Sequence, residues 1–311
     1  MDNSPGPRDD AALVVTDPSA TTALVMTIDV VTAMVDDART FGAIAAANSI
    51  SDVYAMAGVP TVALSFIGFP SDKLPIEVLG EIAAGLRDTA DRAETAIVGG
   101  HTIIDPEPKA GLSVTGIVDR KGAWSQRNAK PGQLLVLTKA LGTGIAIQAM
   151  KGLKCPEALA KSAIESMLLL NRAARDAGVA AGATSATDIT GFGLLGHLGN
   201  ICDASDVCAN LSAHDVPVFE GARELAQAGV VPGGSKRNLK NMEARVRFDA
   251  AVGDITRLLL ADAQTSGGLL LCVPAANVSA LLRRLEGEGS IAAVIGELAP
   301  RAGGPWIAVT P

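Results

Sequence analysis

Phe41-Gly-Ala-Ile-Ala-Ala-Ala-Asn-Ser-Ile-Ser-Asp-Val-Tyr-Ala-Met56 is a run of small and apolar residues set between two β-branched segments, 23–28 and 61–66. Its alanine content favours helix over strand, whereas the flanking segments carry the alternation and branching of strands. A helix joining two strands makes the chain α/β. Small side chains let such a helix approach its neighbours closely. Asn48 and Asp52, four residues apart, share one helical face. That polar pair either lines a pocket or forms a solvent-facing stripe.

Working outward, residues 11–16 read as a further strand and 76–92 as a second helix, with strands at 96–99 and 112–118. A polar connector, Asp119-Arg-Lys-Gly-Ala-Trp-Ser-Gln-Arg-Asn-Ala-Lys-Pro-Gly132, then interrupts the pattern. We therefore expect an N-terminal domain over 1–119, a connector over 120–132 and a C-terminal α/β domain over 133–311. Beyond the connector, 133–137 reads as a strand and 156–177 as one long helical region. Residues 268–273 and 292–295 read as buried strands on either side of a helix rich in Leu and Arg.

Bulk properties narrow the function. The 311 residues suffice for two cores, and 48% hydrophobic content suits a folded soluble protein. No apolar run reaches the roughly 20 residues needed to span a bilayer, and the first eight residues are no signal peptide; the expected location is the cytoplasm. A formal charge of −7, dispersed Lys and Arg, and 3% aromatics argue against nucleic acid as a partner. Cys155, Cys202, Cys208 and Cys272 lack Cys-x-x-Cys spacing and read as buried small hydrophobes.

Chemistry concentrates on isolated aspartates. Asp188 stands in Ala186-Thr-Asp-Ile-Thr-Gly-Phe-Gly-Leu-Leu-Gly-His-Leu198, apolar and glycine-rich, with no basic neighbour nearby in the chain. Burying an unpaired carboxylate there costs several kcal/mol, roughly, unless a cation or hydrogen bonds compensate it. Arg8-Asp-Asp-Ala-Ala12 sets two carboxylates before a strand, a pattern that is weak by itself. Asp29, read as ending the strand through Thr27, faces either a ligand or its own turn. Gly99-Gly-His-Thr102 reads as a glycine-rich turn after a strand, able to approach phosphate oxygens, with His101 equally suited to a structural hydrogen bond. Gln264-Thr-Ser-Gly-Gly268 and Thr138-Lys-Ala-Leu-Gly-Thr-Gly144 offer either a similar turn or a helix cap. There is no Walker A or Rossmann fingerprint. Scattered carboxylates with glycine turns suit Mg²⁺, a hard cation that links a few carboxylates to substrate phosphates.

Taken together and in order, Arg8-Asp-Asp-Ala-Ala12, the 41–56 helix, Gly99-Gly-His-Thr102 with Pro106-Glu-Pro108, Thr187 to Leu198, and Gln264-Thr-Ser-Gly-Gly-Leu269 resemble the selenophosphate synthetase, or selenide, water dikinase, family. The family belongs to the aminoimidazole ribonucleotide synthetase superfamily. The resemblance spans nearly the whole chain. It implies a two-domain α/β (α+β) fold whose N-terminal strands pair across a homodimer. It also implies the conversion of ATP, selenide and water into selenophosphate, AMP and phosphate. Matching motifs assign Asp10, Asp52 and Asp188 to Mg²⁺. They assign Arg8, Asp9, Asp29, Asp52, Gly100, His101 and Thr102 to the nucleotide, the 100–102 group reaching in from the partner subunit.

Two departures accompany this. The family's Thr-Thr-Asp-Phe-Phe is here Thr27-Ile-Asp-Val-Val31, which alters the wall beside Asp29. The family's N-terminal segment, with its Cys or selenocysteine and essential Lys, has no counterpart before Arg8. The first Cys is Cys155 and the first Lys is Lys73. No catalytic nucleophile is therefore assigned. The expectation is a start site upstream of a selenocysteine codon misread as stop, and nucleotide binding with little selenide-dependent turnover by the chain as written. Two alternatives stand beside it: an ATP-binding homologue with a regulatory or interaction role, and a superfamily kinase for another small molecule.

Overall fold

The computed structural model describes residues 9–288 and 290–311. The first half comprises β1 (Ala12–Val14), β2 (Thr22–Thr32), α1 (Ala38–Ala55), β3 (Val59–Phe69), α2 (Ile76–Arg92), β4 (Ala96–Ile104) and β5 (Lys109–Asp119). Its strands form one sheet in the order β1-β2-β5-β3-β4, antiparallel except for the parallel β3–β4 pair. Residues 133–310 supply β6 (Gln133–Leu137), α3 (Thr143–Lys151), α4 (Glu157–Leu168), α5 (Arg172–Ala180), β7 (Ser185–Asp188), α6 (Gly193–Ser205), β8 (Val207–Ser212), α7 (Ala222–Gln227), α8 (Gly233–Met242), β9 (Val246–Phe248), α9 (Asp254–Leu260), β10 (Leu269–Pro274), α10 (Val278–Leu285), β11 (Ala293–Pro300) and β12 (Ile307–Thr310). Their strands form a mixed seven-stranded sheet, β7-β10-β6-β11-β8-β12-β9.

Period-two alternation in β2 organises the first half. Ala23 and Val25 are buried with Phe41, Ile44, Ile50 and Val53 of α1, and Thr27 and Asp29 continue that row toward the same helix. Met26, Ile28 and Val30 occupy the opposite face and are exposed. Helix α1 then packs on α2 at glycines: a Cβ on Gly42 would collide with the Ile82 carbonyl oxygen, and one on Gly85 with that of Arg39. Asp37 caps α1 by accepting from Thr40 N at 2.8 Å.

Several sequence expectations need correction. Asp29 lies inside β2, which continues to Thr32, and does not end a strand. Gly99-Gly-His-Thr102 is no turn; it is the middle of β4, paired with Leu64 to Ile67 of β3, where a Cβ on Gly100 would collide with Ser65, so the glycine serves a close approach of strands. The 156–177 region is two helices, α4 and α5, separated at Leu169, Leu170 and Asn171. The connector is partly built in: Trp124 is buried against Gly178, and Gln126–Asn128 forms a short 3-10 turn.

Replacing Gly42 or Gly85 by Ala gains about 1 kcal/mol of helix propensity but forces backbone apart, an overpacking cost of about 1–3 kcal/mol. Each variant is expected to be less stable than wild type in urea unfolding, and an unchanged midpoint would refute this packing account.

Candidate functional site

Four chain segments bring carboxylates to the seam between the halves. Asp52 sits on α1, 9% exposed, and its Oδ2 accepts from Thr27 Oγ1 at 2.5 Å. Asn48, one turn earlier, donates through Nδ2 to Asp29 Oδ2 at 2.6 Å and accepts through Oδ1 from Ser266 N at 2.9 Å. The shared face of Asn48 and Asp52 is thus the buried site face, and the solvent-stripe alternative is excluded. Asp188 ends β7, 1% exposed, paired in register with Leu269 of β10. Asp10 arrives from the chain start, its Oδ1 accepting from Thr187 Oγ1 at 2.7 Å.

Burial dominates the electrostatics. Asp10 is held well above the ordinary carboxylate value by desolvation first and the charge of Asp188 next, against hydrogen bonds from Thr187 and Gln126. Asp52 is raised likewise, by burial and then by Asp188, Asp29 and Asp10. Asp188 is pushed up to about 6, chiefly by burial and in spite of a Ser51 hydrogen bond. Asp29 is raised by burial, with Asn48 opposing. The carboxylates thus lie within one another's field. Asp10 Oδ2 and Asp188 Oδ2 are buried without a hydrogen-bond partner among the described residues. An orphaned buried carboxylate oxygen is costly, and a hard cation is the partner that would satisfy two at once.

Among the described residues no three His, Cys, Asp or Glu side chains already form a ready-made metal cage. Mg²⁺ does not require one, since it retains waters and shares carboxylates with phosphate oxygens. The donor set, all oxygen with two free acceptors, fits that ion.

Sequence reasoning missed Lys139. Its Nζ, buried, donates to Leu169 O at 2.6 Å and Ser266 O at 2.9 Å, and burial lowers its pKa to about 7 while Asp188 pulls upward. A basic residue 49 positions away by number (139 to 188) therefore lies within the field of Asp188. The signal was present in Thr138-Lys-Ala, a lysine directly after a buried strand. The Gln264–Gly268 segment proves to be both a cap and a clasp. Gln264 Oε1 accepts from Gly142 N and Thr143 N at the start of α3, and Ser266 adopts φ +47° so that its N–H meets Asn48 and its carbonyl meets Lys139.

Arg8 lies outside the described residues. Asp9 turns to the connector, accepting from Gln126 N at 2.8 Å and Ser125 Oγ at 3.0 Å. Gly100, His101 and Thr102 are exposed on edge strand β4, separated from β2 by β5 and β3. A cavity of about 860 Å³ beside α4 has Lys139 in its wall but none of these carboxylates. Volume alone would misplace the site.

Residues 8–118 match the model for the AIR synthase related protein, N-terminal domain, and residues 130–305 that for the C-terminal domain. The chain is 46% identical over 305 residues to a selenide, water dikinase of Myxococcus xanthus, covering 97% of this chain and 85% of that relative. The chain belongs to the selenide, water dikinase family of AIR synthase related proteins. A selenide, water dikinase of Porphyromonas gingivalis is 44% identical, covering 88% of this chain and 79% of the relative. The resemblance read from the motifs is thereby borne out. Among solved structures, a thiamine-monophosphate kinase from Stenotrophomonas maltophilia superposes with a TM-score of 0.71 at 22% identity, covering 97% of this chain and 92% of the other. The hydrogenase maturation protein HypE in complex with ATP gives 0.71 at 21%, covering 95% and 81%. At that identity the two share the family's mixed α/β, two-domain fold.

The raised pKa of Asp188 has a signed consequence in metal-free protein. Between about pH 4 and 6 the folded state holds a proton that the unfolded chain has released, so stability falls as pH rises through that window. A shift from 3.8 to about 6 corresponds to a penalty on the order of 3 kcal/mol above pH 6. In EDTA, Asp188→Asn is expected to unfold at higher urea than wild type at pH 7 and at a similar concentration at pH 4. The same difference at both pH values would show that Asp188 is not buried as a charge.

Proposed function

We propose that the protein makes selenophosphate from ATP, selenide and water, releasing AMP and phosphate. The observation that carries the reading is the seam of buried carboxylates with two orphaned oxygens, in a chain whose relatives of 42–46% identity are named selenide, water dikinase. Asp10, Asp52 and Asp188 would hold Mg²⁺, which when bound would offset the charge of the triphosphate and of the transferring phosphoryl group. Asp29 and Asp52 are the nucleotide contacts on the inner face. Asp29 keeps one oxygen on Asn48, which holds it against α1. Asp9 acts by tying the chain start to Ser125 and Gln126, so that Asp10 is delivered to the seam. Lys139 and Asn171 hold the Leu169, Ser266 and Gly267 carbonyls, which keeps the wall beside Asp188 fixed while charge changes in front of it.

Gly100, His101 and Thr102 complete the site from a second copy. The exposed sheet face supports this: Ile28 (65% exposed) of β2 and Leu64 (51%) of β3 flank Ser113 of β5 in register, and Val98 (64%) of β4, Met26 and Val30 lie nearby, an apolar surface of the kind that marks an interface. The four cysteines carry free thiols, in keeping with a reducing cytoplasm. No helix among the described residues is long and apolar enough to cross a membrane.

Likeness to a selenide, water dikinase over 97% of the chain favours turnover over the little first expected, so anaerobic incubation with Mg-ATP and selenide, followed by phosphorus NMR, is expected to show selenophosphate, AMP and phosphate in equal amounts. Mg-ATP binding without selenide-dependent AMP would support the ATP-binding homologue in its place. Light scattering is expected to give a dimer for wild type and a monomer for Ile28→Glu; a wild-type monomer would remove the partner's 100–102 segment from the site.

A further inference from the structure

We propose that His197 is a positioning residue that fixes Asp10 for its cation, acting through Thr187. The inference rests on the reading of Asp10 as a metal ligand and extends it to a residue that touches neither metal nor nucleotide. His197 is buried on α6, and both ring nitrogens are engaged. Nε2 lies 3.2 Å from Thr190 N, a backbone N–H that can only donate, so Nε2 is the acceptor and the ring proton sits on Nδ1. Nδ1 lies 3.2 Å from Thr187 Oγ1 and must donate to it. The Thr187 hydroxyl, filled as an acceptor on that side, turns its own proton to Asp10 Oδ1 at 2.7 Å. Gln126 Nε2 adds weaker contacts at 3.4 Å to both Thr187 Oγ1 and Asp10 Oδ1.

The direction of every proton in this chain is set by one backbone amide. Its end result is an Asp10 carboxylate with Oδ1 occupied and Oδ2 buried and free. That is a monodentate ligand held in one orientation before any cation arrives. Burial keeps the ring neutral, its pKa lowered to about 4, as a proton on Nε2 would face the Thr190 N–H head-on. The same ring ties the Ile189–Gly193 turn to β7, so the segment following Asp188 and the arm bearing Asp10 share one anchor. Groups that orient metal ligands in this way typically contribute 10-fold to 100-fold in metal affinity.

The test uses Mn²⁺ as a paramagnetic replacement for Mg²⁺, titrated in the presence of a non-hydrolysable ATP analogue and followed by electron paramagnetic resonance. Thr187→Val and His197→Asn are each expected to weaken Mn²⁺ by at least about 10-fold. The double variant is expected to be no worse than the weaker single one, because both break the same chain. Thr187→Ser is expected to restore wild-type affinity. Nucleotide binding in EDTA should stay within about 2-fold of wild type. A purely structural role would lower the unfolding midpoint and leave Mn²⁺ affinity unchanged; that result, or additive losses, overturns the proposal. If His197→Asn does not fold, the Thr187→Val and Thr187→Ser pair decides alone. Wild-type protein that holds no Mn²⁺ removes the site reading, and this inference falls with it.

Discussion

The approach of α1 to its neighbours is the constraint on which the rest of the site depends. The helix meets α2 at two glycine contacts that admit no side chain, and Gly111 of β5 is pressed against the Asp29 carbonyl, which also accepts from Ser49 Oγ at 3.0 Å. Close packing leaves no freedom to rotate. Once α1 is seated, Asn48, Ser51 and Asp52 must point at the seam, and their partners follow: Asp29 and Thr27 from β2, Asn171 and Ser266 from the other half. The alanines of α1 are thus as much a part of the site as its polar residues.

That rigidity is what permits negative charge to be buried. Taken singly, a carboxylate such as Asp188 would relax by moving toward water or by recruiting a base. Here the nearest compensation is partial: Ser51 supplies a hydrogen bond, and the charge of Lys139 reaches Asp188 while its protons go to two carbonyls. Lys139 therefore lowers the cost of Asp188 without neutralising it. A lysine forming a direct ion pair would occupy the acceptor that a cation needs. The arrangement resembles a spring held by its frame, with desolvation opposing every one of the three charges at once.

Much of this was legible in the sequence, and what was not has physical reasons. Spacing placed Asn48 and Asp52 on one face, and the isolation of Asp188 among glycines marked it as needing compensation. Period-two alternation found β2 and β3 but underestimated their length, since Asp29 and Gly68 are poor strand formers that long ladders nevertheless retain. Gly99 and Gly100 read as a turn in the sequence for the same reason. Lys139 and His197 escaped because their roles depend on distance in space: 49 and 187 residues separate them from Asp188 and Asp10 (139 to 188 and 10 to 197). A histidine inside an apolar helix and a lysine at a strand end each read as ordinary until the topology sets β6, β10 and β7 side by side.

The topology also explains why the carboxylates come from such distant segments. Asp52 is carried by a helix of the first half, Asp188 by the edge strand of the second sheet, and Asp10 by an arm fastened through Asp9 to Ser125 and Gln126 of the connector and through Asp10 to Thr187 of the second half. Any cation bound by all three would bridge the halves, and its loss would leave like charges facing one another across the seam. Hydrogen bonds that already cross it, from Ser266 to Asn48 and from Asn171 to Ser51, oppose that repulsion in the metal-free state. The seam is consequently built to stay closed with its charges unmatched, so that a cation finds its oxygens in place and gains affinity from repulsion relieved as well as from bonds formed.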